Sequence, residues 1–249
     1  MLKNALRKPK AILFDLDDTI LPAFARPDMA WSEVVDDIMA DTDAALRARI
    51  VKAIQTQARD FWSDGERHRL WRVRLPDSRR KVVADAFASL AQRGLSLPDE
   101  LGLRLADRFT RYAEEQIDIF HDAHDVLGAL RERGFRLALI TNGAAGPQRA
   151  KVERFDLVHR FDHLQIEGEA GFGKPEERAY LHAMEKLGVG PQDTWMVGDH
   201  LEWEVVAPQK LGITAVWFDH RSRGLPEGSD IRPDLIVTSL TELLERVPA

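Results

Sequence analysis

Three carboxylates, Asp15, Asp17 and Asp18, stand at the end of a short apolar run, Ala11-Ile12-Leu13-Phe14, with Thr19 directly after them. Acids this close repel one another and resist removal from water. A fold holds them together when something positive sits among them, and hard divalent cations such as Mg2+ take oxygen ligands of this kind. The segment by itself also fits an acidic turn, since Asp is a frequent turn residue. Thr141, Asn142 and Gly143, then Lys174, Asp199 and Glu204, follow later in the chain. A nucleophilic carboxylate, a second acid two residues on, a hydroxyl or amide, a lysine and a further acid make up a phosphoryl-transfer site. Asp15 would attack phosphorus and form an aspartyl-phosphate, splitting one hard step into two. Asp17 would protonate the leaving alcohol and later take a proton from the attacking water. Thr141, Asn142, Gly143 and nearby backbone N–H groups would hold phosphate oxygens. Lys174 would set positive charge against both nucleophile and phosphate, and Asp199 would anchor the metal.

Such groups need a scaffold that brings them to one edge. The run at Ala11–Phe14 reads as a buried strand. Similar short apolar runs end in polar residues at 136–143, 194–199 and 214–219, with a weaker one at 235–238. Helical patterns separate them. Residues 122–133 carry Val126, Leu127 and Leu130 and end at Gly134; residues 176–187 carry Tyr180, Leu181, Met184 and Leu187 and end at Gly188. Residues 239–247 open with Ser239 and Glu242 in a capping-box pattern. Strands alternating with helices indicate an α/β fold with a parallel sheet, whose ligands bind beyond the carboxyl ends of the strands. Asp15, Thr141 and Asp199 are all expected there. From 22 to 120 no strand pattern appears, and apolar residues recur at helical spacing instead. The expected organisation is a core of residues 1–21 and 121–249 with a helical domain, 22–120, inserted after the first strand.

Composition narrows the function classes. A formal net charge of −6 argues against a dedicated nucleic-acid or acidic-membrane binder. The absence of cysteine excludes disulfides, thiolate metal sites and a Cys nucleophile. The basic N-terminus has no apolar run of signal-peptide length behind it, and no segment approaches the ~20 apolar residues of a membrane helix. The expectation is a cytoplasmic protein acting on a small-molecule phosphate, without nucleic-acid or membrane partners, as a monomer or homodimer.

The four segments resemble the motifs of the haloacid dehalogenase-like (HAD) superfamily, in the family's order. Asp15-Leu16-Asp17-Asp18-Thr19 is similar to motif I, Ile140-Thr141-Asn142-Gly143 to motif II, Gly173-Lys174-Pro175-Glu176 to motif III, and Gly198-Asp199 with Glu204 five residues after the Asp to motif IV. The resemblance implies a Rossmann-like core with a C1 cap that closes over the site. It implies a Mg2+ site made of the Asp15 carboxylate, the Asp17 backbone carbonyl and Asp199, with Glu204 reaching the metal directly or through water. Within the family the pattern is similar to the branch of pyrimidine nucleotidases and N-acylneuraminate-9-phosphate phosphatase, which implies a phosphatase of a nucleotide or sugar phosphate. Alternatives are a metal-independent 2-haloacid dehalogenase and a degenerate, non-catalytic binding protein. The dehalogenases carry no acid two residues after the nucleophile, so Asp17 favours phosphoester hydrolysis. Trp203-Glu204 replaces the Asn-Asp of many relatives, and Ala207-Pro208 would kink or shorten the helix that follows.

Several other residues carry weaker readings. The stretch from Phe61 to Arg80 holds Trp62, Arg67, His68, Arg69, Trp71, Arg72, Arg74, Arg79 and Arg80, and could grip an anionic or planar molecule, or form a solvated helix or loop face with its two Trp residues in the core. His121 and His124 read as helix-start polar residues rather than a metal pair. His200 could line the pocket or be a plain loop residue. Gln148, Arg149 and Lys151 are expected on an exposed helix face, Asp18 as a spacer, and Thr19 as a hydrogen-bonding brace for the loop.

Overall fold

A computed structural model describes residues 6–22 and 27–248 of the chain. They form two compact units, Met1–Pro22 with Asp118–Ala249, and Ala23–Ile117. The first unit is built on a six-stranded, all-parallel sheet in the order β3-β2-β1-β4-β5-β6. Its strands are β1 (Ala11–Phe14), β2 (Arg136–Thr141), β3 (His163–Ile166), β4 (Thr194–Gly198), β5 (Thr214–Phe218) and β6 (Leu235–Val237). This is the Rossmann-like α/β architecture expected from the alternating pattern. β1 lies between β2 and β4 and is buried throughout, which is why its sequence is a continuous apolar run. The strand order reverses at β1, so the crevice at its carboxyl end is the natural place for a ligand.

The helices follow in chain order: α1 (Pro27–Ile38), α2 (Ala44–Ser63), α3 (Gly65–Trp71), α4 (Leu75–Gln92) and α5 (Asp99–Glu115) in the second unit; then α6 (Ala123–Glu132), α7 (Ala145–Arg154), α8 (Glu167–Ala170), α9 (Glu177–Leu187), α10 (Ala207–Lys210) and α11 (Leu240–Arg246) in the first. Among the described residues none of them is long and apolar enough to cross a membrane. On one face of the sheet, Tyr180, Ala183, Met184 and Leu187 of α9 pack with Leu13, Ala138, Ile140 and Met196. α9 stops at Gly188, whose φ of 62° suits a residue without a Cβ. The Ser239 side chain accepts from the Glu242 N–H at 3.0 Å, while the Glu242 carboxylate caps Thr238 instead of Ser239, so half of the capping box forms. The second unit has its own core, with Ile50, Ile54, Val83, Phe87 and Leu105 at its centre.

β3 carries none of the signals of the other strands. Its sequence is His-Leu-Gln-Ile, and buried Gln165 donates to the Ala179 carbonyl at 2.9 Å and pairs with His182 Nδ1 at 2.8 Å. Pro208 has the shortening effect expected of it: the chain after β4 runs through a π-helical segment, Leu201–Val206, into the four-residue α10.

Candidate active site

Asp15 follows β1 directly, and its N–H continues the ladder by donating to the Val197 carbonyl at 2.9 Å. The chain then wraps into one tight turn, in which the Leu16 carbonyl accepts from Ile20 and Leu21, each at 2.9 Å. Asp18 takes the left-handed conformation this turn requires, with φ 58°; Asp tolerates it better than most residues. The turn keeps Asp15 buried, and both of its carboxylate oxygens are engaged. Lys174 Nζ lies 2.5 Å from Oδ1, and the Thr19 hydroxyl donates to Oδ2 at 3.2 Å, the bracing expected of Thr19.

Lys174 is completely buried and lies 2.7 Å from Glu204 Oε1 as well. That second contact is an ion pair out of hydrogen-bond alignment, since Glu204 Oε1 has no hydrogen-bond partner. Burial alone would lower the Lys174 ammonium, but Asp15 and Glu204 outweigh it and hold the group above its ordinary value. Burial pushes Asp15 up to about 7, against the pull of Lys174 and with a further push from Glu204. Asp199 rises to about 9, through burial and then the charges of Asp15 and Glu204. Glu204 is raised by burial in turn. One ammonium is therefore set among three crowded acids, and burial first, then their mutual repulsion, favours keeping protons on them.

Small residues make this crowding possible. A Cβ on Gly198 would stand 2.1 Å from Glu204 Cγ and 3.0 Å from Asp15 Cβ. A Cβ on Gly173 would meet Asn142 Oδ1 at 2.5 Å. Both glycines are needed for close approach rather than for backbone conformation.

The residues expected to hold phosphate divide into two groups. Thr141 ends β2 with its hydroxyl beside Gln148 Nε2, at 2.5 Å. Asn142 uses its side-chain amide as a bracket on the lysine segment. Its Nδ2 donates to the Lys174 carbonyl at 2.8 Å, and its Oδ1 accepts from the Lys174 N–H at 2.9 Å. The Gly143 N–H donates to Glu167 Oε2 at 2.9 Å, so that donor is already engaged. The Asn142 amide and the Gly143 N–H thus tie the loop to the lysine segment and to Glu167. Glu204, expected at the metal, has Oε2 accepting from the His200 N–H at 2.8 Å and Oε1 against Lys174. Its carboxylate is committed to the lysine and to the turn. Among the described residues no group of three His, Asp or Glu side chains forms a ready-made metal cluster, His121 and His124 included.

The expected exposed face of α7 is corrected by the structure. Gln148 is buried, and its Nε2 donates to Asp17 Oδ2 at 3.0 Å as well as to Thr141. Lys151 Nζ pairs with both oxygens of Asp17, at 2.8 and 2.9 Å. Only Arg149 of the three faces outward, in a two-pronged pair with Glu169. α7 starts at the carboxyl end of β2, so its inward face meets the site, and the spacing of Gln148, Lys151 and Val152 marks that face. Asp18 is no spacer either: its carboxylate accepts from Arg221 Nη2 at 3.2 Å. His200 stacks on the Trp203 ring at 4.0 Å. It borders a cavity of about 610 Å³ shared with Asp18, Asp199, His220 and Arg221.

The comparisons with known proteins agree with this geometry. The family model of haloacid dehalogenase-like hydrolases matches residues 9–212. A phosphoserine phosphatase of Thermus thermophilus is 38% identical over 145 residues, which cover 58% of this chain and 57% of that one. The pyrimidine 5'-nucleotidase PynA of Streptococcus pneumoniae is 26% identical over 95% of this chain and 94% of its own. An N-acylneuraminate-9-phosphatase of Rattus norvegicus is 33% identical over 52% of each chain. The match thus spans about half the length of the first and last of these relatives. Among solved structures, the HAD-hydrolase YfnB of Bacillus subtilis, bound to magnesium, superposes with a TM-score of 0.68 at 21% identity, covering 98% of this chain and 100% of that one. With its motifs gathered at the ends of β1, β2 and β4 and its family model spanning most of its length, the chain belongs to the haloacid dehalogenase-like hydrolases.

Proposed function

We propose that the site hydrolyses a small phosphomonoester, a nucleotide or sugar phosphate, through an aspartyl-phosphate on Asp15. The observation that carries this reading is the Asp15 carboxylate, buried at the end of the central strand and held by Lys174 at 2.5 Å and Thr19 at 3.2 Å, with a second acid two residues on. A carboxylate fixed at both oxygens loses little freedom on reaching phosphorus. In the first step an Asp15 oxygen bonds to phosphorus, the ester P–O bond breaks, and Asp17 gives its proton to the leaving alkoxide. In the second, water attacks phosphorus, Asp17 takes the water's proton, and the Asp15–phosphorus bond breaks to release inorganic phosphate. Thr141 and the Asn142 backbone N–H would hold phosphate oxygens, and Lys174 would offset their charge. Glu204 serves by holding Lys174. A dehalogenation would leave Asp17 with no alkoxide to protonate.

The donor set suits Mg2+: carboxylates of Asp15 and Asp199 and the backbone carbonyl of Asp17, all hard oxygens, with the two carboxylates raised by burial and by nearby acids, so that a cation would favour their ionised forms. Mg2+ usually binds through one or two carboxylates, keeps several waters and takes substrate phosphate, so it needs no closed cage of side chains. When bound it neutralises phosphate charge so that one anion can approach another. The helical unit is proposed to act as the cap that sets specificity. The test is p-nitrophenyl phosphate turnover with Mg2+, followed by a panel of nucleotides and sugar phosphates. Asp15→Asn should abolish turnover, and Mg2+-dependent activity retained in that variant would overturn the reading. Chloride release from a 2-haloacid in excess chelator would establish the dehalogenase instead.

A further inference from the structure

The helical unit contains a cavity of its own, about 500 Å³ in volume. Trp31 of α1 and Phe109 of α5 stack at 3.8 Å and 15° and form one aromatic wall, and Trp62 of α2 contributes another. Arg59, Arg72 and Arg79 also line it, and among the described residues no carboxylate does. Arg72 is 6% exposed. The contrast between two adjacent arginines is informative. Arg80 is exposed and donates to Asp107 at 2.8 Å, an ordinary surface pair. Arg79 points the other way, 5.3 Å from the centre of the Phe109 ring, and has no hydrogen bond or ion pair to any described residue. The charge of Glu114 favours the guanidinium's charged form against the effect of burial.

A guanidinium away from solvent keeps its charge at a cost unless an anion meets it. Arg79 is half-buried, and the Phe109 ring offsets part of that cost by cation–π attraction while giving its N–H donors no acceptor. Flat aromatic walls with an arginine fork suit a flat molecule bearing a carboxylate, phosphate or sulfonate. Of the two readings open for the basic, Trp-containing stretch, the cavity favours the grip for Arg79, while Trp62 and Trp71 pack against the core of the helical unit as the other reading has it.

We propose that this cavity is a binding site for a planar organic anion, its ring against the Trp31–Phe109 wall and its charge on Arg79. The site stands whether or not the first unit is a phosphatase. The probe is 8-anilino-1-naphthalenesulfonate, titrated into the full-length protein and followed by quenching of tryptophan fluorescence. N-phenyl-1-naphthylamine serves as its uncharged counterpart. The wild type should bind the sulfonate at least 10-fold more tightly than the neutral amine. Arg79→Met should lose that preference, and Arg80→Met should keep it. Equal binding of both probes by the wild type, or an Arg79→Met protein that binds the sulfonate as tightly as the wild type, would overturn the proposal. Near-UV circular dichroism reports whether Arg79→Met folds. If it does not, Arg79→Lys, which keeps the charge and loses the fork, should show weakened sulfonate binding, and undiminished binding there counts against the site.

Discussion

Replacing Lys174 with Met should turn the centre of the site into a pH-dependent weakness. The lysine lies 2.5 Å from Asp15 and 2.7 Å from Glu204, with its side chain 1% exposed. At an effective dielectric constant of about 20, each contact represents about 6 kcal/mol of gross attraction. Much of this is offset by desolvation, and removing one partner of a buried pair costs about 3–5 kcal/mol. Met fills a similar volume, so the loss is electrostatic rather than a cavity effect. The sign of the pH dependence follows from the carboxylates. Asp15 is already raised to about 7 with the lysine present, chiefly by burial, and rises further without it. Between the unfolded-state value near 4 and the raised folded value, the native state holds a proton that the unfolded state has released. Stability then falls as pH rises through that window. The deficit of the variant should be about 4 kcal/mol at pH 8 and about 2 kcal/mol or less at pH 5, where the orphaned acids are protonated. Urea unfolding of both proteins in chelator, followed by far-UV circular dichroism, measures it. A deficit below about 1 kcal/mol at pH 8, or one equal at both pH values, would refute the reasoning.

Gly198→Ala would drive a Cβ to 2.1 Å from Glu204 Cγ, and should destabilise by about 3 kcal/mol with loss of turnover, read by thermal unfolding and p-nitrophenyl phosphate hydrolysis. Lys151→Met removes the paired donor from Asp17 and should lower kcat between about 10- and 100-fold with a smaller change in KM, because the acid is no longer positioned; unchanged kcat would assign the pair to stability alone. Chelation should abolish phosphatase activity and added Mg2+ restore it. Mg2+ should also raise Tm more at pH 8 than at pH 6, since protons held by the raised Asp15 and Asp199 compete with the metal, as a thermal-shift titration would show. Ser239→Ala removes the N-cap of α11 and should cost about 1 kcal/mol in urea unfolding with activity intact.

Much of this was legible in the chain because the signals were local and strong. Ala11–Phe14 is apolar throughout since both edges of β1 are paired, and the abrupt change to Asp15 marks where the sheet ends. The glycines that close α6 and α9 punctuate the helices for the same local reason. β3 escaped because it lies at the sheet's edge and carries Gln165, whose burial is made tolerable by the Ala179 carbonyl and His182, partners distant in sequence. Gln148 and Lys151 escaped because polar residues on a helix look solvated until the carboxylate they face, Asp17, is brought to them by the fold. Asp18 escaped likewise, its partner Arg221 lying on the far side of the chain's numbering. Polar contacts between remote segments leave no periodicity to read.

The Phe120 N–H donates to the Ile20 carbonyl at 3.1 Å. The chain thus leaves the sheet unit and comes back to it through two residues already tied to one another. Whatever lies between them is, for the sheet, a closed detour whose length costs little in chain entropy. The helical unit is in that sense a socketed part. A short turn spanning Ile20 to Phe120 should leave the strands and their buried lysine folded, and a different helical insert could be carried between the same two residues.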